Sequence, residues 1–108
     1  MKIITLHKPI QISDVHYLLQ KKLNLLFHER RQSDIDFIVE QKDGTVEISQ
    51  PGLYEGFLFR ITINGTELWI TRSEHYVDDV NSLTLESILN DLFDDLSDNL
   101  GTDLVQEG

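Results

Sequence analysis

The chain has 108 residues, no cysteine, and 9 Lys plus Arg against 19 Asp plus Glu, a formal net charge of −10. That length fits one domain, and the absence of cysteine excludes disulfides, thiolate metal sites and a cysteine nucleophile. The negative balance argues against direct binding of nucleic acid or of an anionic membrane through a broad basic face, and no apolar run is long enough to span a bilayer.

In chain order, residues 2–6 read as a short strand that Pro9 either confines to a sheet edge or bends before Ile10 and Ile12. Ser13 is a plausible N-cap, with Asp14 in the first turn of a helix reaching toward Arg30. Val15, Leu19, Leu23 and Leu26 form its apolar stripe, with Leu18 beside it. Lys22 interrupts the stripe and must carry its ammonium out to water along its aliphatic stem.

The middle of the chain alternates with period two. Ile35, Phe37 and Val39 precede the turn dipeptide Asp43-Gly44, and Val46 and Ile48 follow it on the same face. After Pro51-Gly52, the residues Phe57, Phe59, Ile61 and Ile63 lead to Asn64-Gly65, a strong hairpin signal, and Leu68 and Ile70 return. A two-residue loop at Asn64-Gly65 pairs Ile63 with Thr66 and Arg60 with Trp69. That places an Arg–Trp contact on the face opposite Phe59 and Ile61, with Leu58 and Ile38 sharing its parity.

From Leu85 the residues Leu85, Ile88, Leu89, Leu92, Phe93, Leu96 and Leu100 mark a second helix, capped by Ser82 or Thr84 and closed at Gly101. The expected fold is a single α+β domain over residues 1–101. It has a four-stranded antiparallel sheet, the N-terminal strand adding at an edge, and two helices on one face, in the order β-α-β-β-β-β-α. Residues 102–108 read as a flexible acidic tail.

Charge is distributed unevenly. Residues 1–42 hold seven basic and five acidic residues, whereas residues 43–108 hold two basic and fourteen acidic ones. On the last helix, Asp91, Asp94, Asp95 and Asp98 fall within an arc of about 100° opposite the apolar stripe. Three of them approach its C-terminus, where the helix dipole disfavours negative charge by roughly 0.3–1 kcal/mol each. Either cations such as Lys21, Lys22, Arg30 and Arg31 of the first helix compensate them, or the strip is a solvated face that serves only solubility, or it is kept for a basic partner. Its side-chain spacing of roughly 5–6 Å is near enough to the 3.4 Å rise per phosphate for carboxylates to stand in for phosphates.

The outer sheet face, with Arg60 and Trp69, is a second candidate interface, and a homodimer would use it. Glu74, His75, Asp78 and Asp79 form the one carboxylate–imidazole cluster in the sequence. Their spacing matches neither a zinc site nor a calcium loop, so no metal and no cofactor are expected. His16 and His28 lie about 120° apart on one helix and do not converge on a ligand. No phosphate loop or nucleophile elbow is present. The expectation is a small cytoplasmic, non-enzymatic binding protein whose partner is a protein with a basic surface. Inhibitors of nucleic-acid-handling proteins, acting as nucleic-acid mimics, and immunity proteins are instances. A dimeric secretion or assembly chaperone acting through the outer sheet face is the alternative, and a small metal-dependent enzyme or sensor using the region 74–79 is a third reading.

Overall fold

Two hairpins with contrasting turns set the sheet. The computed structural model describes residues 2–6 and 8–99, with side chains as far as Asp94. Its elements are β1 (Lys2–Thr5), α1 (Ile12–Arg31), β2 (Ile38–Lys42), β3 (Thr45–Ser49), β4 (Phe57–Asn64), β5 (Glu67–Arg72), a single 3-10 turn (Glu74–Tyr76) and α2 (Val80–Asn99). At the first hairpin Asp43 and Gly44 both take positive φ, 48° and 82°, and Lys42 pairs with Thr45. That is the mirror-image turn an Asp-Gly dipeptide favours.

The second hairpin departs from expectation. Asn64 remains in the ladder opposite Glu67, and Gly65, at φ 63°, occupies the first turn position with Thr66 after it. With positive φ only at its first central residue, this turn needs no strained Asn. The loop has moved one residue along, so Trp69 lies opposite Thr62 and Arg60 opposite Thr71. The expected Arg60–Trp69 pair is therefore not formed, although both residues keep their face, because the register moves by two.

All strand pairs are antiparallel and the order is β1-β5-β4-β3-β2. The fold is α+β with β1 as the fifth, edge strand. Both helices pack on one sheet face, α1 against β2 and β3 and α2 against β1, and they touch each other. From α1 the core receives Val15, Leu19, Leu23 and Phe27; from α2 it receives Leu85, Ile88, Leu89, Leu92 and Phe93. Phe27, rather than Leu26, completes the α1 stripe, and its ring meets Phe37 edge-on at 4.8 Å. Leu18 and Leu26 are only partly buried.

A β-bulge breaks the alternation in β4. Ile48 pairs with Phe59 and Ser49 with Phe57, leaving Leu58 as the extra residue. Leu58 and Phe59 are both buried, at 0% and 1% exposure, so two consecutive side chains enter the core. Phe57 is turned to the outer face, where the Arg60 guanidinium lies 4.2 Å from its ring centre. The assignments of Leu58 to the outer face and Phe57 to the inner one are thus exchanged. A bulge inserts an unpaired residue and reverses the parity of everything before it.

Both helix caps differ from the sequence expectation. Gln11, not Ser13, is the N-cap of α1, and the Asp14 carboxylate accepts the Gln11 backbone N–H at 3.2 Å. At α2, Asp79 replaces Ser82 and Thr84: its Oδ2 accepts the backbone N–H groups of Asn81 at 2.9 Å and Ser82 at 3.0 Å. Thr84 instead donates to the Val80 carbonyl. Ser82 is fully buried and its hydroxyl has no hydrogen-bond partner among the described residues. Since an unsatisfied buried hydroxyl costs about 1–3 kcal/mol, Ser82→Ala is expected to stabilise the protein by about 1 kcal/mol in urea unfolding. A destabilised variant would mean that the hydroxyl is satisfied in solution. The expected closure at Gly101 and the tail 102–108 lie outside the described residues, as do the side chains of Asp95, Leu96 and Asp98.

The free edge of the sheet at β2 is covered by α1. His16 Nε2 lies 3.1 Å from the Val39 carbonyl, and His28 Nε2 lies 2.9 Å from that of Ile35. A carbonyl can only accept, so both rings donate from Nε2. Between them, the Asn24 amide binds both backbone groups of Phe37: Oδ1 accepts its N–H at 2.7 Å and Nδ2 donates to its carbonyl at 3.0 Å. Gln50 donates to the Asp36 carbonyl. The two histidines do not converge on a ligand; they fan along alternate carbonyls of the segment 35–39.

Candidate functional site

Two surfaces were expected to carry function, the acidic strip and the outer sheet face, and the tertiary structure treats them, and the cluster at residues 74–79, differently. On α2, Asp91 and Asp94 are exposed. Arg30 of α1 reaches Asp91 with an Nη2–Oδ2 distance of 2.6 Å, and its Nη1 donates to Ser87 Oγ at 3.0 Å. Compensation by the first helix is thus realised at Asp91. Asp94 has no cation within 4 Å among the described residues. It shares with Lys22, Leu25, Leu26, Arg30, Asp91 and Leu92 the rim of a groove between the helices. Leu25 in this groove is 60% exposed.

Among the described residues no helix lies over the outer sheet face. Its rows are set by register: Ile3, Trp69, Thr62, Thr45 and Lys42 in one, and Thr71, Arg60, Glu47 and Glu40 in the next. Trp69 is half-buried, and its indole N–H donates to Glu67 at 3.1 Å. Arg60 is committed within its own row, with Nη2 2.8 Å and Nε 2.9 Å from Glu47 Oε2. Ile3 and Ile38 are exposed at opposite edges. The face is thus mostly threonine and paired charge, with apolar residues at its margins, and the patch expected around Trp69 lacks Leu58.

The cluster Glu74, His75, Asp78 and Asp79 does not converge. Asp79 is spent on the α2 cap, and the same Oδ2 accepts the Tyr54 hydroxyl at 2.8 Å. Burial, reinforced by Asp79, holds the Tyr54 phenol above its usual range despite an opposing hydrogen bond from Asn81. Ser73 Oγ accepts the His75 backbone N–H and opens the 3-10 turn. Among the described residues no three His, Asp or Glu side chains gather as metal ligands.

What the sequence did not announce is an aromatic corner beside this turn. Tyr54 and Tyr76 meet edge-on at 4.9 Å. The Tyr76 hydroxyl accepts the Glu55 N–H at 2.8 Å and donates to the Glu55 carbonyl at 3.1 Å. The hollow in front is lined by Glu55, Gly56, Phe57, Ser73, His75 and Tyr76. Tyr54 and Tyr76 are 22 positions apart and follow no strand or helix period, so no sequence signal marks their meeting.

Among the described residues no helix is long and apolar enough to cross a membrane. No family model, curated protein or solved structure matches the chain.

Proposed function

We propose that this is a small acidic, non-enzymatic binding protein that occupies a basic surface of a partner protein in the cytoplasm. An inhibitor that imitates nucleic acid toward a nucleic-acid-handling protein, or an immunity protein against a cationic toxin, fits this reading. One observation supports it above the others: four cations are consumed internally. Arg30 pairs with Asp91, Lys42 with Glu40 and Glu47, Arg60 with Glu47, and Arg72 with Glu86. Exposed Asp94, Glu74 and Asp78 have no such partner among the described residues, so the excess acid faces outward. Fields of this kind steer a cationic partner and make association salt-dependent.

The test starts with partners retained on the immobilised protein at low salt and released at high salt. Against a partner so identified, the quadruple variant Asp91→Asn, Asp94→Asn, Asp95→Asn and Asp98→Asn should bind about 30-fold more weakly. This assumes roughly 0.5 kcal/mol per charge removed. Equal affinity of parent and variant across salt concentrations would remove α2 from the interface. A second reading, a dimeric secretion or assembly chaperone, rests on the exposed Ile3 at the end of the Trp69 row. A dimer in light scattering that Trp69→Ala dissolves would favour it over the first.

A further inference from the structure

The hollow in front of Tyr76 has the chemistry of a seat for a flat organic cation. Its lining holds one carboxylate, Glu55, and three rings, Phe57, His75 and Tyr76, with no Lys or Arg. Aromatic faces attract cations, and a guanidinium adds planar stacking that an ammonium lacks. Resting on the basic-partner reading above, we propose that this hollow receives an arginine side chain of the partner, with its guanidinium against Tyr76 and its charge met by Glu55.

Three features favour that occupant. The wall is preorganised: Tyr76 is held through its hydroxyl by both backbone groups of Glu55 and through its ring by Tyr54, which the α2 cap Asp79 anchors in turn. A side chain already fixed in place loses little freedom when a ligand arrives. The mouth is open: Gly56 has φ 69° and nothing within 4 Å of where a side chain would begin. Phe57 is already taken by the Arg60 guanidinium, 4.2 Å from its ring centre and paired with Glu47, so the ring left to the partner's arginine is Tyr76. Glu74 and Asp78, exposed on the adjoining turn, add negative charge that no described cation offsets.

Titration of the labelled full-length protein with tri-arginine at low salt, followed by amide NMR, tests this. The expected result is saturable shifts of Glu55, Gly56, His75 and Tyr76, with Glu55→Gln weakening binding about fivefold and tri-lysine binding more weakly. Glu55 is exposed and only its backbone is engaged, so the variant keeps the fold; its unperturbed amide spectrum elsewhere verifies that. Shifts confined to α2, unchanged in Glu55→Gln, would overturn the seat while leaving the basic-partner reading intact. Equal binding of tri-lysine at the hollow would overturn the guanidinium assignment. No saturable shift anywhere would remove both.

Discussion

Replacing Asn24 with leucine is expected to destabilise the protein by about 3 kcal/mol and to lower its melting temperature by at least ~10 °C. The Asn24 amide acts as a strand-like partner for Phe37, the residue that leads into the edge strand β2, accepting from and donating to it at 2.7 and 3.0 Å. Leucine has the same branched outline, is bulkier, and has neither function. Both Phe37 backbone groups would be left without a partner in a partly buried place, at about 1–3 kcal/mol each. A second effect should accompany the first. The edge that α1 covers would offer free N–H and C=O groups to another chain, so the variant should associate as concentration rises. Asn24→Asp keeps the acceptor and loses the donor, and should fall between parent and Asn24→Leu. Thermal unfolding followed by circular dichroism, with light scattering at several concentrations, measures both effects. A leucine variant that melts with the parent would show that the edge needs no side-chain cover.

Asp79→Ala should cost about 2–3 kcal/mol. A capping carboxylate contributes roughly 0.5–2 kcal/mol, and this one also accepts the Tyr54 hydroxyl. Three donors meet at one oxygen, two from the α2 backbone and one from the loop before β4. The substitution therefore frees the start of α2 and releases the aromatic corner with it. Tyr54→Phe removes the loop donor to Asp79 and the acceptor of the Asn81 side-chain amide, leaves the cap itself intact, and should cost about 1 kcal/mol. Chemical denaturation of the two variants separates the cap from the tether. Were Asp79→Ala and Tyr54→Phe equally mild, the cap would carry no weight and another group would satisfy the helix N-terminus.

Legibility from sequence followed the range of each interaction. The period-two runs and the helical stripes are local, and they located all five strands and both helices. Asp43-Gly44 adopted its turn because two positive φ angles suit those two residues. Asn64-Gly65 looked stronger still, yet the loop moved to Gly65-Thr66, since a turn with one positive φ asks nothing of Asn64. The dipeptide marked the hairpin but left two registers open, and the Arg60–Trp69 contact depended on one of them. The bulge at Leu58 was equally out of reach: Phe57-Leu58-Phe59 is apolar throughout, so alternation cannot say which two residues enter the core.

The candidate sites divide in the same way. By itself the sequence determined the acid excess, its concentration after Arg72, and the placement of Asp91 and Asp94 away from the apolar stripe of α2. These follow from composition and from a fixed angle per residue. Only the tertiary structure decided that Arg30 neutralises Asp91, that Glu47 engages Arg60, and that Asp79 serves as a cap. It alone brought Tyr54 and Tyr76 together. The physical reason is that the backbone's periodicity fixes which way a side chain points on its own element. What the side chain meets there depends on contacts between elements far apart in sequence, set by the turns and the bulge.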